Sequence, residues 1–213
     1  MKKYLLNFKL TYCMLETIKL PPPQKDLTFP LMKALEKRRT IRKWKNDPIS
    51  CQDLSNLLWA ACGITKEETK KSKSKRTSPS ACNSQAIKIY VATKNGLFLY
   101  DEKEHQLIQI LSEDIREDIG TQKMMRSAPL GLIYVSDFSK MKNFLFRNDE
   151  QRFFISGADT GFIGQNVYLY CAARNLSTAV LGLVDRKKLH NVIGLKEHEK
   201  IVFTQVVGQS LEK

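Results

Sequence analysis

The sequence lacks the patterns that mark metal centres, disulfide-rich folds and membrane spans. Its five cysteines are odd in number and irregularly spaced, with no CxxC pair or histidine-rich tract, so neither a disulfide framework nor a metal site is predicted. No segment approaches the roughly 20 apolar residues of a membrane-spanning helix. No G-x-G-x-x-G motif follows a predicted strand, which argues against a separate dinucleotide-binding domain. We therefore expect a chain without metal or membrane partners, in a reducing, cytoplasmic compartment.

The formal net charge of +13 on 213 residues allows two interpretations. One is affinity for nucleic acid, and the other is a site for an anionic cofactor together with a solvated basic loop. Much of the excess lies between Lys66 and Arg76, and no aromatic residue interrupts that run to stack on single-stranded bases. We expect no nucleic-acid partner; a non-enzymatic basic nucleic-acid-binding protein stays as an alternative.

Residues 1–24 are predicted to form an N-terminal arm that precedes one domain over residues 25–213. Two lysines followed by apolar residues are typical of the start of a secretory signal. Asn7 and Lys9 interrupt the apolar stretch, however, and no clear small-x-small cleavage site follows. A degenerate signal or a dimer arm is therefore favoured over export.

Hydrophobic periodicity and turn signals predict an alternation of helices and strands. Ser50 is a good helix cap, Gly63 is a natural helix stop, and Asn95-Gly96 is a strong hairpin signal. The predicted helices cover residues 31–37, 51–62, 111–126, 153–175 and 189–194. The predicted strands cover residues 87–93, 97–100, 130–135 and 200–207, with a short loop or strand at 177–182 and a charged loop at 64–78. Interleaved helices and strands indicate an α+β or mixed α/β class.

Two polar segments carry the functional hypothesis. The first is the basic cluster at residues 37–42, in which Arg38, Thr40 and Arg42 alternate and would share one side of an extended backbone. Arginine offers a planar fork of donors to a phosphate, and the threonine hydroxyl adds another donor. The second is the turn at residues 79–85, which brings small side chains, a hydroxyl and amides to the start of a strand. Together they suit a phosphorylated planar ligand; taken singly, each also fits a solvated helix end or an ordinary polar turn.

These segments and four others resemble the nitroreductase family of FMN flavoenzymes over roughly residues 31–208. The other four are Leu54-x-x-Leu57-Leu58-Trp59-Ala60-Ala61, Asp159-x-Gly161-x-x-x-Gln165-Asn166, a loop near Gly182, and a terminal Val206-Val207-Gly208. Each piece is weak by itself, and their order and spacing are more specific. The resemblance implies an α+β fold with a central mixed or antiparallel-dominated sheet flanked by helices. It also implies an intertwined homodimer with FMN at the dimer interface.

The same resemblance implies which residues hold FMN. Arg38 and Thr40 would bind the phosphate, Arg39 would lie on the ribityl side, and Arg42 would approach the N1/O2 edge of the isoalloxazine ring. The remaining contacts would come from Pro79, Ser80 and Asn83 of the second subunit, from Lys123 at the pyrimidine edge, and from the backbone at Ala179, Leu181 and Gly182, with one amide directed at N5.

The chain departs from the family pattern at two places. Many members carry an acidic residue directly before the glycine of the late loop, where this chain has Leu181. Many also carry a late basic pair for the phosphate, for which only Lys213 is available here. If only the backbone amide of the late loop is used, the first departure changes little.

The implied activity is that of an NAD(P)H-dependent FMN oxidoreductase with a ping-pong mechanism. Hydride would pass from NAD(P)H to flavin N5, and an electron-poor small molecule such as a nitroaromatic or a quinone would then take the place of the nicotinamide. No catalytic side chain is required, because the flavin carries the chemistry. An FMN oxidoreductase with a dedicated non-nitro substrate, and a flavin-binding protein without turnover, are the alternatives within this resemblance.

Overall fold

A computed structural model describes residues 16–122, 127–142 and 146–211. The helices within them are α1 (Leu31–Lys37), α2 (Cys51–Cys62), α3 (Asp149–Ala173) and α4 (Arg186–Ile193). The strands are β1 (Thr17–Lys19), β2 (Ile64–Lys66), β3 (Lys75–Arg76), β4 (Ile87–Thr93), β5 (Gly96–Asp101), β6 (Gln106–Leu111), β7 (Leu130–Asp137), β8 (Leu176–Leu181) and β9 (Glu199–Gln209). The first 15 residues of the predicted N-terminal arm lie outside the described part of the chain.

Seven strands form one sheet in the order β1-β6-β5-β4-β7-β9-β8, and every described pairing in it is antiparallel. Strands β2 and β3 form a separate two-stranded ribbon. The predicted α+β class with an antiparallel-dominated sheet is therefore confirmed. Strand β8 is an edge strand with β9 on one side only, and this position sets up the site described below.

Side chains alternate across the central strands, so the sheet buries both of its faces. Ile89 of β4 joins Leu57 of α2 and Val167 of α3 in one apolar cluster. Its neighbour Tyr90 joins a second cluster that includes Leu189 of α4. Helices α2 and α3 thus cover one face, whereas α4 and the segment after β6 cover the other.

Local capping explains where the helices begin. Ser50 caps α2 as predicted. Helix α3 begins four residues earlier than predicted because the Asn148 side chain accepts a hydrogen bond from the backbone N–H of Gln151 (2.8 Å). Helix α4 likewise begins early because a carboxylate oxygen of Asp185 accepts from the N–H of Lys188 (3.0 Å). These caps satisfy N–H groups that a helix start leaves without partners.

The predicted helix over residues 111–126 is wrong. Leu111 is the last residue of β6, and the described residues after it form an irregular segment with one 3-10 turn at Arg116–Asp118. Ile115 and Ile119 are buried in the second apolar cluster. Both side chains are buried because the segment covers the sheet, and not because it forms a helical turn. A spacing of four residues between apolar side chains does not by itself distinguish these two cases.

The segment predicted as a charged loop, residues 64–78, contains the β2–β3 ribbon instead. The Arg76 side chain is almost fully buried and pairs with Glu102 at the end of β5, so one cation of this basic run is neutralised within the fold. The lysines of the run at positions 66, 70, 71, 73 and 75 are exposed. Among the described helices none has the length and apolarity to cross a membrane.

Candidate functional site

The basic segment, residues 37–45, runs along the free edge of β8. The backbone N–H of Ile41 donates to the carbonyl of Thr178 (3.0 Å), and that of Lys45 donates to the carbonyl of Gln209 at the end of β9 (2.9 Å). The outward N–H and C=O groups of an uncovered edge strand can pair with strands of other molecules, which leads to aggregation. The basic segment occupies one of these groups on β8, the carbonyl of Thr178. The fold therefore holds the predicted cations beside β8, more than 130 residues away in the sequence.

Close packing fixes the far end of the basic segment. Trp44 is buried, and a Cβ atom placed on Gly208 would lie 2.6 Å from the Cβ of Trp44 and 3.1 Å from the Cδ of Pro129. Real Cβ atoms do not approach other atoms so closely, so only glycine fits here. The glycine of the terminal Val206-Val207-Gly208 motif thus has a physical reason: it lets the basic segment dock against β9.

A cavity of about 290 Å³ opens where the basic segment passes the end of β8. Its lining includes Arg42, Thr121, Gln122, Leu181, Gly182 and Leu183. Two of these residues are joined to each other, because the N–H of Thr121 donates to the carbonyl of Leu183 (3.2 Å). The structure therefore brings together three of the predicted site residues, Arg42, Leu181 and Gly182, in one concave place. Ala179 is fully buried in the second apolar cluster and does not line the cavity.

The backbone groups on the outer edge of β8 lie beside this cavity. The carbonyl of Thr178 accepts from Ile41, and the N–H of Val180 donates to the hydroxyl of Tyr168 (3.0 Å), so both groups point away from β9. Backbone groups of a strand alternate between its two edges. Continued one residue past the end of β8, the same alternation predicts an outward N–H at Gly182, which lines the cavity with Arg42. The cavity therefore combines a predicted backbone donor at Gly182 with the cation of Arg42.

Two other residues of the basic cluster contact Tyr168. The Arg38 guanidinium carbon lies 5.6 Å from the centre of the Tyr168 ring, and Thr40 Oγ1 lies 3.1 Å from the Tyr168 hydroxyl. Arg39 is exposed and donates to the carbonyls of Glu36 (3.0 Å) and Arg38 (2.8 Å). Thr40 and Arg42 are exposed as well. Arg38, Thr40 and Arg42 thus form a cationic strip, in which Arg38 is half-buried and Arg42 lines the cavity.

The predicted polar turn is held in an unusual backbone conformation. Cys82, Asn83 and Gln85 have φ values of 52°, 48° and 50°, in the left-handed region that side chains disfavour. Side-chain hydrogen bonds stabilise it, because the Asn83 and Gln85 amides both donate to the carbonyl of Ser74 (3.0 and 2.7 Å) and Ser80 Oγ accepts from the N–H of Gln85 (3.1 Å). A disfavoured backbone conformation persists only where surrounding contacts hold it in place. Such conformations are found more often at ligand sites than elsewhere.

Asp159 anchors the polar turn to α3. Its carboxylate oxygens lie 3.1 and 3.3 Å from the backbone nitrogen of Ala81, whose N–H donates to them. Burial raises the pKa of the Asp159 carboxyl, and the hydrogen bond from Ala81 opposes that rise. The carboxylate of the Asp159-x-Gly161 motif therefore has a local role that the sequence did not reveal: it positions the turn.

Within one chain the two halves of the predicted site do not meet. None of Pro79, Ser80 and Asn83 lines the cavity beside Arg42. Lys123 lies outside the described residues. Among those residues, no group of three or more histidine, cysteine, aspartate or glutamate side chains is arranged to hold a metal ion. Within the described part of one chain, the polar turn is therefore separate from the cavity beside Arg42.

An apolar stripe on α3 is exposed beside these elements. Phe154 is 79% exposed and Phe162 is 49% exposed, and Ala158 and Gly161 lie between them on the exposed side of the helix. A Cβ atom on Gly161 would have no neighbour within 4 Å. Helix α1 adds exposed apolar side chains at Leu31, Met32 and Leu35. Contiguous exposed apolar surface of this kind marks an interaction site.

Comparisons with known proteins agree on one family. The sequence model described as the Nitroreductase family matches residues 35–209. A protein of Methanocaldococcus jannaschii, provisionally named a nitroreductase, is 25% identical over 189 residues, covering 84% of this chain and 90% of that protein.

Solved structures give the same result. A crystal structure from Ralstonia eutropha JMP134, also provisionally named a nitroreductase, has a TM-score of 0.83 and 31% identity, covering 92% of this chain and 90% of that one. Another from Desulfovibrio desulfuricans, in complex with FMN, has a TM-score of 0.61 and 18% identity, covering 87% and 88%. At that identity the likeness concerns the fold.

Proposed function

The chain belongs to the nitroreductase family, and on that premise we propose that it is a homodimeric, FMN-dependent oxidoreductase. It would take hydride from NAD(P)H and pass the reducing equivalents to an electron-poor acceptor such as a nitroaromatic or a quinone. The observation that carries the proposal is the cavity that Arg42 lines together with Gly182, the residue directly after β8. We propose one domain over residues 25–213 for this activity.

The chemistry of the donor set fits the flavin of FMN. Its ring presents acceptors along one edge, and the cavity is lined by Arg42, which brings a guanidinium, and by Gly182, whose N–H would face the ring. When bound, FMN supplies the two-electron hydride chemistry, so no acid or base from the protein is needed. Arg42 would stabilise negative charge on the pyrimidine edge of the reduced ring, because a fixed cation in a partly enclosed site acts more strongly than one in water. The Gly182 amide would orient the reacting edge.

The opposite end of FMN would lie along the cationic strip. Arg38 and Thr40 would hold the phosphate, since a guanidinium fork and a hydroxyl are both suited to phosphate oxygens. Arg39 would add charge on the ribityl side. The backbone of Leu181 would face the flavin. Ala179, which is buried, would support this backbone from the apolar cluster behind it. Lys123 stays a proposed contact at the pyrimidine edge.

We propose that the missing half of the site comes from a second copy of the chain. Pro79, Ser80 and Asn83 of the partner subunit would approach the flavin bound beside Arg42. The apolar stripe on α3 would then be covered in the dimer, with Gly161 allowing another backbone to come close, as small residues do at helix contacts. Two observations support a copy of this chain as the occupant: the exposed stripe, and a site that one chain leaves incomplete.

The proposed activity predicts a reaction visible in the flavin spectrum. Under anaerobic conditions, addition of NADH or NADPH to the FMN-loaded protein should bleach the visible flavin absorption within seconds, and a nitroaromatic or quinone should restore it. Free FMN at the same concentration is the control, because it lacks the orienting site. Bound FMN that dithionite reduces but neither nicotinamide reduces would contradict the proposed reductant.

A further inference from the structure

We propose that Tyr168 is the positioning residue that organises the phosphate end of the FMN site. The inference rests on the proposed function, because it assigns a role toward the ligand of Arg38 and Thr40. Tyr168 lies on α3, next to Val167, which is fully buried in the first apolar cluster. Its ring and hydroxyl reach the basic segment, about 130 residues earlier in the chain.

The hydroxyl of Tyr168 connects the edge of β8 with the basic segment. The N–H of Val180 donates to the Tyr168 oxygen at 3.0 Å, and the same oxygen lies 3.1 Å from Thr40 Oγ1. Because a phenol can accept one hydrogen bond and donate another, the Tyr168 proton is free to point at Thr40. The proton of Thr40 is then free for a phosphate oxygen. A chain of this kind is polarised in one direction, toward the anion.

The ring of Tyr168 has a second role. The Arg38 guanidinium carbon lies 5.6 Å from the ring centre, within the range of a cation–π contact. Arg38 follows the last residue of α1, and its backbone N–H donates to the carbonyl of Ala34 (2.9 Å). The long side chain therefore has a fixed base and a supporting surface. One tyrosine holds both proposed phosphate ligands, through its hydroxyl and through its ring.

The contacts with Tyr168 would also lower the entropic cost of binding the phosphate. Preorganised donors lose less conformational entropy on binding than mobile ones. Arg38 and Thr40, held by Tyr168, would meet the phosphate with fixed geometry. The inferred role thus predicts tighter binding of FMN than mobile side chains at positions 38 and 40 would allow.

Paired measurements with FMN and riboflavin test this role, because riboflavin lacks the phosphate. In Tyr168→Phe the dissociation constant for FMN should rise about tenfold, the scale of a lost hydrogen bond to a polar or charged partner. In Tyr168→Leu it should rise further, because the surface beneath Arg38 is lost as well. The dissociation constant for riboflavin should change by no more than about twofold in both variants.

The matched control is Tyr170→Phe, two residues along the same helix. Its hydroxyl donates to the carboxylate of Asp53 (2.9 Å), on the side of α2, so it should leave the preference for FMN over riboflavin unchanged. If Tyr168→Phe weakened both flavins equally, or neither, the positioning role would be wrong. Wild-type protein that binds neither flavin would instead contradict the proposed function itself.

A measurement without flavin tests the hydrogen-bonded link directly. In the flavin-free protein, amide hydrogen exchange at Val180 should be faster in Tyr168→Phe than in wild type, because the substitution removes the acceptor of that N–H. Exchange at Val180 that is unchanged would contradict the link, whatever the flavin affinities show.

Discussion

Replacement of Arg38 by alanine should weaken FMN binding by about 1.5–3 kcal/mol, the contribution of a hydrogen bond to a charged group. Such a loss corresponds to a rise of roughly ten- to 150-fold in the dissociation constant. The reason is geometric: the Arg38 side chain is supported by Tyr168 beside Thr40, so its guanidinium is in place before the phosphate arrives. Titration of flavin-free protein with FMN, followed by quenching of flavin fluorescence, measures the constant.

The control for Arg38→Ala is Lys43→Ala. Lys43 is exposed on the same basic segment and does not line the cavity, so it removes one positive charge without a proposed contact. Its effect on FMN binding should be small and should fade as salt screens the long-range charge. An unchanged dissociation constant in Arg38→Ala, or equal losses in the two variants, would refute the phosphate assignment.

Introduction of a charge into the apolar stripe on α3 should separate the proposed dimer and release the flavin. Phe154 is 79% exposed in the single chain, so Phe154→Glu should leave the fold of each chain intact. Buried in a dimer, an unpaired carboxylate is strongly destabilising, because its hydration is lost without a compensating partner. Light scattering coupled to gel filtration should then show a monomer peak with little flavin absorption.

The matched control for Phe154→Glu is Lys94→Glu, which makes a larger change of charge in the exposed turn between β4 and β5. That variant should remain dimeric and keep its flavin. Two results would overturn the shared-site account: wild-type protein that is a monomer with full flavin occupancy, or a Phe154→Glu monomer that retains its flavin.

Local signals in the sequence predicted much of the fold. Ser50 before an apolar stripe and Gly63 after it gave the bounds of α2, and Asn95-Gly96 gave the β4–β5 hairpin, because capping and turn chemistry act over a few residues. The helix predicted over residues 111–126 failed for the opposite reason. The burial of Ile115 and Ile119 is imposed by the sheet that they cover, and no local signal records it.

The sequence allowed the types of residue in the candidate site to be predicted. It did not allow the contacts that bring those residues together to be predicted. The pattern in Arg38, Thr40 and Arg42 indicated a phosphate-binding strip, but its docking along β8 depends on contacts between distant parts of the chain. No sequence pattern singles out Tyr168, because its contacts with Arg38, Thr40 and Val180 join distant parts of the chain. Asp159 was noticed only as part of a family motif, and its hydrogen bonds to Ala81 emerge from the fold alone.

The visible absorption spectrum of the purified protein, followed by heat denaturation and identification of any released chromophore, tests the central claim most directly. The account predicts a flavin spectrum, with FMN as the compound released, or uptake of added FMN by protein that was purified without it. A colourless protein that takes up no added FMN would contradict the account, because the cavity at Arg42 and Gly182 and the strip at Arg38 and Thr40 would then have no flavin to hold.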